Sequence, residues 1–491
     1  MRLAADLREA ILMSAIQGKL TDQLETDESV EKQMERLSRQ HTSKTKKDNL
    51  PMDSAFFDIP ESWKWTTLSK LGTLSGGKTP SMQDESNWSS SDVNWFSSKD
   101  MKDRYLTDSK MKISFKGAKE LQMFPAGTLL MVVRSGILKH TLPLCILTKE
   151  ATINQDLKAF SLFDVKMSEY VYWMLKGMQP IIISNYTKHI TTVDSLKLDE
   201  FFYQMPIPLP PVEEQQRIVD RINALLPEIN EYEEMENHLL ALKKAFPGNL
   251  RDAVLQAAVL GLLTAQDEGE NPSQLIEEIL KTKKRLIAEK VISKDNSCKT
   301  QPIDQDGSNL PEIPSNWTWV RLGSLCSKIG AGSTPAGGSK VYVKSGVKLL
   351  REQNIHNSGL VMDGLVFIAN EINASMKGSQ VQAKDILVNI TGASIGRNAL
   401  VPDDFDVANV NQHVLIVRLI DDRLRHYIHL CLQSPHIINQ MMEKQMGDKP
   451  GLSATKVANF VIPFPPIEEQ QRIVDRLNAI LPMCDELAEA I

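Results

Sequence analysis

The stretch from Gly72 to Pro80 reads GTLSGGKTP, and its first eight residues fit the phosphate-binding pattern G-x-x-x-x-G-K-[ST]. That chemistry would place backbone N–H groups of a helix N-terminus around a nucleotide phosphate, with Lys78 adding charge. It needs a strand before the loop and a helix opening at its last residues. Pro80 follows Thr79 at once, which a first helical turn can tolerate. His426 and His429 stand at an i,i+3 spacing that suits two metal ligands, but no third ligand of fixed spacing accompanies them, so a polar helix face is the reading. Glu213 and Glu214 are adjacent and do not share a helix face, which suits dipole and solubility roles better than acid–base ones.

The elements that must position these residues are bounded first by length and composition. A chain of 491 residues with 42% apolar residues can bury more than one core, and length alone suggests roughly three domains. The five cysteines are scattered without a C-x-x-C pair, so neither a zinc site nor a disulfide framework is indicated, and a reducing compartment fits. The most apolar stretch, AVLQAAVLGLL at 253–263, is too short to span a bilayer, and the expected location is cytoplasmic. A net charge of -6 argues against a uniformly basic nucleic-acid binder.

Internal repeats organise the whole chain. PPVEEQQRIVDRINALLP (Pro210 to Pro227) returns as PPIEEQQRIVDRLNAILP (Pro465 to Pro482) with only Val/Ile/Leu exchanges. IPESWKW (Ile59 to Trp65) returns as IPSNWTW (Ile313 to Trp319), and LREAILMSAIQGKLTDQ (Leu7 to Gln23) as LRDAVLQAAVLGLLTAQ (Leu250 to Gln266). ATINQDL (Ala151 to Leu157) has a weaker echo in ANVNQHV (Ala408 to Val414). The chain is two tandem units, roughly 1–247 and 248–491. Superposing them puts GAGSTP (Gly330 to Pro335) on SGGKTP (Ser75 to Pro80), so Ser333 replaces Lys78. A phosphate-binding lysine is absent from a copy that keeps the Thr-Pro, and the reading becomes a Gly-rich turn.

Each unit repeats one order of parts. It opens with a short amphipathic helix on which Leu7, Ala10, Ile11, Ser14, Ala15 and Gly18 share a face, Gly18 suiting the C-terminal cap. A charged spacer follows, at 24–55 and 267–311, with a helix expected over Leu275 to Glu289 and a polar linker over Ser293 to Asn309. A body of about 150 residues comes next, with strand-like runs TLLMVVR (Thr128 to Arg134) and DILVNIT (Asp385 to Thr391). Pro-Pro and a long helix close the unit. Glu213 and Glu214 sit in its first turn, Arg217 is four residues after Glu213, and Ile218, Ile222, Leu225, Ile229, Tyr232, Leu239, Leu242 and Phe246 trace an apolar stripe. From Val212 to Phe246 this predicts a rod of roughly 50 Å if the helix continues through Pro227, with a break at Pro247–Asn249 before the second opening helix. Were the units related by a pseudo-two-fold axis, the helices at the two chain ends would meet and repeat the central arrangement.

The twofold Pro-Pro-x-Glu-Glu-Gln helix, the paired LR-A-L--A--G-LT helices and the two dissimilar bodies between them resemble the specificity subunit of a type I restriction-modification system. The resemblance covers nearly the whole chain. It implies an α+β fold of two tandem pseudo-symmetric units, each a mixed α/β target-recognition domain, separated by long antiparallel coiled-coil-like helices. The parts it implies are an N-terminal conserved helix at 1–23, a spacer at 24–55, recognition domain 1 at 56–205, a central conserved helical region at 206–266, a linker at 267–311, recognition domain 2 at 312–462 and a C-terminal conserved helix at 463–491. It further implies a non-catalytic DNA-recognition subunit that reads a bipartite asymmetric site on double-stranded DNA and scaffolds two modification (methyltransferase) subunits, with restriction (translocase/endonuclease) subunits added. The chain would hold no cofactor of its own, while the complex would use S-adenosylmethionine for modification and ATP with Mg for restriction. One departure is that the closing helix of the second unit ends at Ile491, equivalent to about Glu236, so either the symmetry is imperfect or the chain is truncated. LPPV and FPPI superficially resemble the Asn/Asp-Pro-Pro-aromatic site of adenine methyltransferases, but lack the leading amide or acid and the following aromatic.

Charge placement is compatible. Residues 56–205 hold 18 Lys+Arg against 16 Asp+Glu, 312–462 hold 15 against 12, and 206–290 hold 10 against 15. Weakly basic bodies suit DNA and an acidic helical section suits protein. Candidate DNA contacts are polar groups on loops, Lys and Arg for phosphates, and Arg, Lys, Asn or Gln for base edges. In the first unit these are Ser98 and Lys99 in FSSKDM, Lys102 and Arg104 in KDRY, Arg134, Lys139 and His140 after LLMVV, and Lys188 and His189 in YTKHITT. In the second they are Arg351, Gln353 and Asn354 in LREQNI, Arg397 and Asn398 in GASIGRN, and Lys449 in MGDKPGLS. Asn154-Gln155 and Asn411-Gln412 recur where the rest differs, which favours structural use. The alternatives are a helical scaffold joining two protein-binding modules without DNA contact and, less favoured, a P-loop nucleotidase.

Overall fold

A computed structural model describes residues 3–40, 55–188, 193–293, 298, 303, 310–445 and 451–491. The chain divides into two compact units, Met1–Leu239 and Leu240–Ile491, each built from helices and sheets. No helix among the described residues is long and apolar enough to cross a membrane.

In unit 1 the run TLLMVVR supplies the strand Leu129–Val132, central in a five-stranded sheet between Leu157–Leu162 and Leu144–Leu147. Leu129 and Met131 face one core, which also holds the opening helix and the closing helix, while Leu130 and Val132 face a second core inside the body. Two buried faces explain why the run is continuously apolar rather than alternating. Unit 2 repeats this with Ile386–Asn389: Ile386 and Val388 face the helical side and Leu387 the interior of the body.

The opening helix of unit 1, Leu3–Ile16, packs where Gly177 ends the helix Ser168–Gly177; a Cβ on Gly177 would lie 2.9 Å from the Leu12 carbonyl oxygen. Gly18 takes φ +68°, and a Cβ there would meet Pro60 Cγ at 2.4 Å; Gly261 repeats this with φ +74° and Pro314 Cγ at 2.4 Å. The repeated Pro and Trp of IPESWKW and IPSNWTW thus seat the two helix ends.

The closing helix runs without interruption from Val212 to Val259, from unit 1 into unit 2. The break expected at Pro247–Asn249 is absent. An interior proline forfeits one N–H bond and crowds the preceding turn, about 3 kcal/mol. The flanks supply Ala, Leu, Lys and Arg, all good helix formers, and Leu255, Ala258 and Val259 are anchored in the core of unit 2. Pro227 is crossed in the same way, with Ile222 and Ile229 buried on either side of it.

The stripe along this helix divides. Ile218 and Ile222 are buried in unit 1, whereas Tyr232 and Leu239 in unit 1 and Leu242 and Phe246 in unit 2 are 40–53% exposed. The charges of its first turn also differ from expectation. Glu214 is fully buried and accepts from Trp63 Nε1 at 2.8 Å, Gln23 Nε2 at 2.8 Å and Thr21 Oγ1 at 3.1 Å, so it is a structural bolt and not a solubilising charge. Arg217 pairs with Asp27 at 2.6 Å, not with Glu213. Its counterpart Arg472 reaches Glu270 at 2.8 Å and Glu469 at 2.6 Å.

The spacer of unit 2 carries the expected helix, observed over Ser273–Ala288. That of unit 1 carries one the sequence reading missed, Val30–Gln40, on which Val30, Gln33 and Leu37 are buried at helical spacing. The linker Ser293 to Asn309 lies mostly outside the described residues.

Candidate nucleic-acid interface

Three turns of each body are bonded together. In unit 1 the parallel strands Val93–Phe96 and Thr152–Ile153 end side by side, and Asn154 donates its N–H to the Phe96 carbonyl at 2.9 Å. The Gly-rich turn closes onto the second of them. Lys78 N–H donates to the Ile153 carbonyl at 3.0 Å, and Gly77 approaches so closely that a Cβ would lie 2.1 Å from that oxygen. Unit 2 does the same: Val347–Leu350 runs parallel to Ala408–Val410, Asn411 N–H donates to Leu350 at 3.1 Å, and a Cβ on Gly332 would lie 2.1 Å from the Val410 carbonyl. The hydroxyls of Thr79 and Thr334 bond the side-chain oxygens of Gln155 and Gln412.

This geometry resolves the phosphate-loop pattern. The strand is present as Gly72–Gly76, but no helix opens at Lys78, whose N–H is already taken by Ile153. The turn does not fit a phosphate. Its glycine and threonine serve the packing of one turn on another, and the Asn-Gln pairs are structural.

A short 3₁₀ turn follows each first strand. In unit 1, Ser98–Asp100 is stapled by Asp100, which accepts from Ser97 N–H at 2.8 Å. In unit 2, Asn354 does the same for Arg351 N–H at 3.0 Å and donates to the Val361 carbonyl at 2.8 Å. Asn354 is fully buried by these bonds and presents nothing outward, contrary to its selection as a candidate contact. Asn398 is corrected likewise: it is fully buried, and its Nδ2 donates to the Gly396 carbonyl at 3.0 Å. Arg351 is half-buried and gives Nη2 to the Gly364 carbonyl at 2.7 Å.

Gln353 and Arg397 are exposed and meet in one cleft of about 570 Å³. Glu352, Thr391, Ser394 and His413 complete its wall. His413 bonds Thr391 Oγ1 through Nδ1 at 2.7 Å and Gln412 Nε2 through Nε2 at 2.7 Å. The cleft therefore offers a guanidinium, an amide and a carboxylate within one concavity, beside an imidazole whose two nitrogens are already bonded, a set able to match the donors and acceptors of base edges. Glu352 and His413 were missed by the sequence reading. The signal available was the repeat itself, which aligns Glu352 with Ser98 and His413 with Asp156.

In unit 1, Ser98, Lys99, Lys102, Arg134, Lys139 and His140 are exposed. Ser195 pairs in register with Lys188 on one side and Arg134 on the other. In-register residues of adjacent strands share a face, so Arg134 and Lys188 form one basic row. Arg104 is the exception. It lies 4.4 Å from the Trp173 ring centroid, ion-pairs with Glu169 and donates to Asn223 Oδ1 at 2.9 Å. Burial lowers its pKa, and its charge is spent inside the protein. His189 and Lys449 lie outside the described residues.

Of the two candidate metal-spacing histidines, His426 is exposed on the helix face and His429 is half-buried. His429 Nε2 accepts from Gln433 at 3.0 Å, and burial, with the charges of His426 and Arg251, lowers its pKa to about 4.

Comparison with known proteins agrees with the repeat. The family described as the type I restriction modification DNA specificity domain matches the chain twice, over residues 60–239 and 314–491. The specificity subunit of the type I restriction enzyme EcoAI from Escherichia coli is 23% identical over 546 residues, covering 98% of this chain and 89% of that protein. The EcoEI specificity subunit from Escherichia coli is 23% identical over 574 residues, again covering 98% and 89%. The EcoR124I/EcoR124II specificity subunit from the same organism reaches 34% identity over 163 residues, 32% of this chain and 39% of that one.

Proposed function

The chain belongs to the type I restriction-modification DNA specificity family, and from that premise we propose how its two bodies share the reading of DNA. It is a non-catalytic DNA-recognition subunit of a type I restriction-modification complex. Residues 56–205 and 312–462 act as the two target-recognition domains, each taking one half of a bipartite asymmetric site. In unit 2 the cleft beside Gln353 and Arg397 meets base edges. In unit 1 Lys99, Lys102, Arg134, Lys139 and Lys188 meet phosphates and bases of the other half.

The observation that carries this reading is the contrast between a repeated frame and unrepeated readers. The Gly-rich turn, the stapled 3₁₀ turn and the Asn-Gln turn are bonded alike in both units. The side chains they carry outward differ: Ser98, Lys99 and Asp156 in one, Glu352, Gln353 and His413 in the other. A common scaffold with different polar groups is what two different half-sites require.

The helical parts serve assembly. The exposed apolar residues Met235 and Leu239 in unit 1, and Leu242 and Phe246 in unit 2, give modification subunits apolar side chains to cover on each unit. Two such subunits transfer methyl groups from S-adenosylmethionine to adenine, and restriction subunits use ATP with Mg. On this reading the cofactors belong to the partner subunits.

The test is co-expression with the modification subunit and mapping of methylated adenines across the host genome. A single bipartite motif with a fixed gap, altered in one half when 56–205 is exchanged for the domain of a relative, supports the reading. A motif unaltered by exchange of either body overturns it and favours a scaffold without DNA contact.

A further inference from the structure

One group in the cleft of unit 2 is unsuited to a phosphate. Asn411 donates Nδ2 to Glu352 Oε2 at 3.0 Å, while its own Oδ1 accepts the His413 N–H at 3.1 Å. Asn389 donates Nδ2 to the Glu352 carbonyl at 2.9 Å. Asn411 thus holds the carboxylate itself and Asn389 holds the backbone that carries it, in the cleft wall. Burial pushes its pKa up, but the hydrogen bonds from Asn411 and from its own backbone N–H, with the charges of His413 and Arg351, outweigh burial and hold it below the ordinary range.

An ionised carboxylate only accepts, and it repels the phosphate chain. The groups in the major groove that match it are exocyclic amino groups, N4 of cytosine and N6 of adenine. Adenine N6 stands beside the acceptor N7, which a carboxylate also faces unfavourably, whereas cytosine presents N4 without an adjacent acceptor on its own base.

Unit 1 uses the same asparagine differently. Asn154 donates Nδ2 to Asp156 Oδ2 at 2.9 Å, and Ser98 occupies the position aligned with Glu352. The pinning amide is shared by both frames, but the pinned carboxylate comes from another segment. The Glu352 carboxylate is therefore a feature of the second body and not of the common scaffold.

We propose that Glu352 is a specificity-determining residue of unit 2, accepting a hydrogen bond from N4 of one cytosine in the half-site read by that body. This rests on the reading of the cleft as the base-contacting surface. The experiment maps methylated adenines for the full chain with its modification subunits, comparing the parent with Glu352→Gln and Glu352→Asp. The half-site of unit 2 is expected to contain a C·G pair at which Glu352→Gln loses discrimination by roughly ten-fold while every other position is retained. Glu352→Asp keeps a carboxylate that only accepts and is expected to keep the cytosine, whereas the glutamine amide can also donate and so admits other bases. An unchanged motif with Glu352→Gln overturns the proposal, as does loss of methylation with both variants, which marks a structural role. Exchange of 312–462 separates the two readings. If exchange changes one half of the motif and Glu352→Gln changes nothing, only this inference fails; if exchange changes nothing, the reading beneath it fails as well.

Discussion

Trp63 donates its indole N–H to Glu214 at 2.8 Å, joining residues that stand 151 positions apart. The same carboxylate receives Thr21 and Gln23 from the end of the opening helix, so one buried group ties three segments of the repeated frame. Unit 2 reaches the same end by another route: Trp317 donates to Gln266 Oε1 at 2.7 Å, and Gln266 donates to Glu469 at 3.0 Å.

Removing that group should cost more than its burial suggests. Glu214→Ala leaves an indole N–H, an amide and a hydroxyl without their acceptor, and is expected to destabilise unit 1 by about 2–4 kcal/mol. Glu214→Gln keeps an acceptor oxygen and should cost less. Urea unfolding of the three proteins checks the order.

Asp27 and Arg217 make stability acid-sensitive. The hydrogen bond from Arg217 lowers the pKa of Asp27, against an opposing effect of burial. A depressed folded-state pKa means that the contribution is fully present above the unfolded value, about 3.9, and is lost as pH falls through the folded value. Arg217→Ala should remove about 1–2 kcal/mol at neutral pH and flatten the decline of stability below about pH 4. Thermal melts of both proteins across that range test this.

Gly18 and Gly261 should not tolerate a methyl group. Alanine at either position would hold a left-handed backbone with Cβ 2.4 Å from a proline ring carbon. Each substitution is expected to cost about 2 kcal/mol or more, lowering Tm by roughly 4–8 °C. A Tm unchanged in calorimetry would contradict the observed seat of Pro60 or Pro314.

Salt dependence should separate exposed from internal arginines in unit 1. Lys99→Ala and Arg134→Ala are each expected to reduce the log–log salt slope of DNA binding by about 0.9. Arg104→Ala should leave the slope alone and lower stability, because its charge already faces Glu169 and Trp173. DNA-binding titrations at several salt concentrations, paired with unfolding curves, distinguish the cases.

Arg397→Ala should act on sequence and not on charge alone. An arginine reading guanine is worth about 1–3 kcal/mol of discrimination at one base pair, so methylation mapping is expected to show one relaxed position in the half read by unit 2. A uniform loss across all sites would instead mark Arg397 as a phosphate contact.

Repetition and periodicity determined much of this protein without coordinates. The duplicated PPxEEQQRIVDR and LR-A-L--A--G-LT segments set the two units. Gly18 marked a helix end, and the runs at 128–134 and 385–391 marked strands, whose central place in their sheets the structure shows. These features are local, since a helix face or a buried strand is written in residues a few positions apart.

Tertiary structure decided what irregular turns and distant partners do. Gln353 and Asn354 are neighbours of similar chemistry, yet one lines a cleft and the other is sealed beneath it. A 3₁₀ turn of three residues is too short to repeat its period, so inside and outside cannot be read from it. Arg217 had an acidic neighbour four residues before it and found Asp27 instead. The helix crossed Pro247 because helix-forming flanks and the anchoring of Leu255, Ala258 and Val259 in the core of unit 2 outweigh one lost hydrogen bond. The repeated sequence set the frame through local spacing, while burial and pairing across more than a hundred positions chose which polar groups the frame keeps and which it presents.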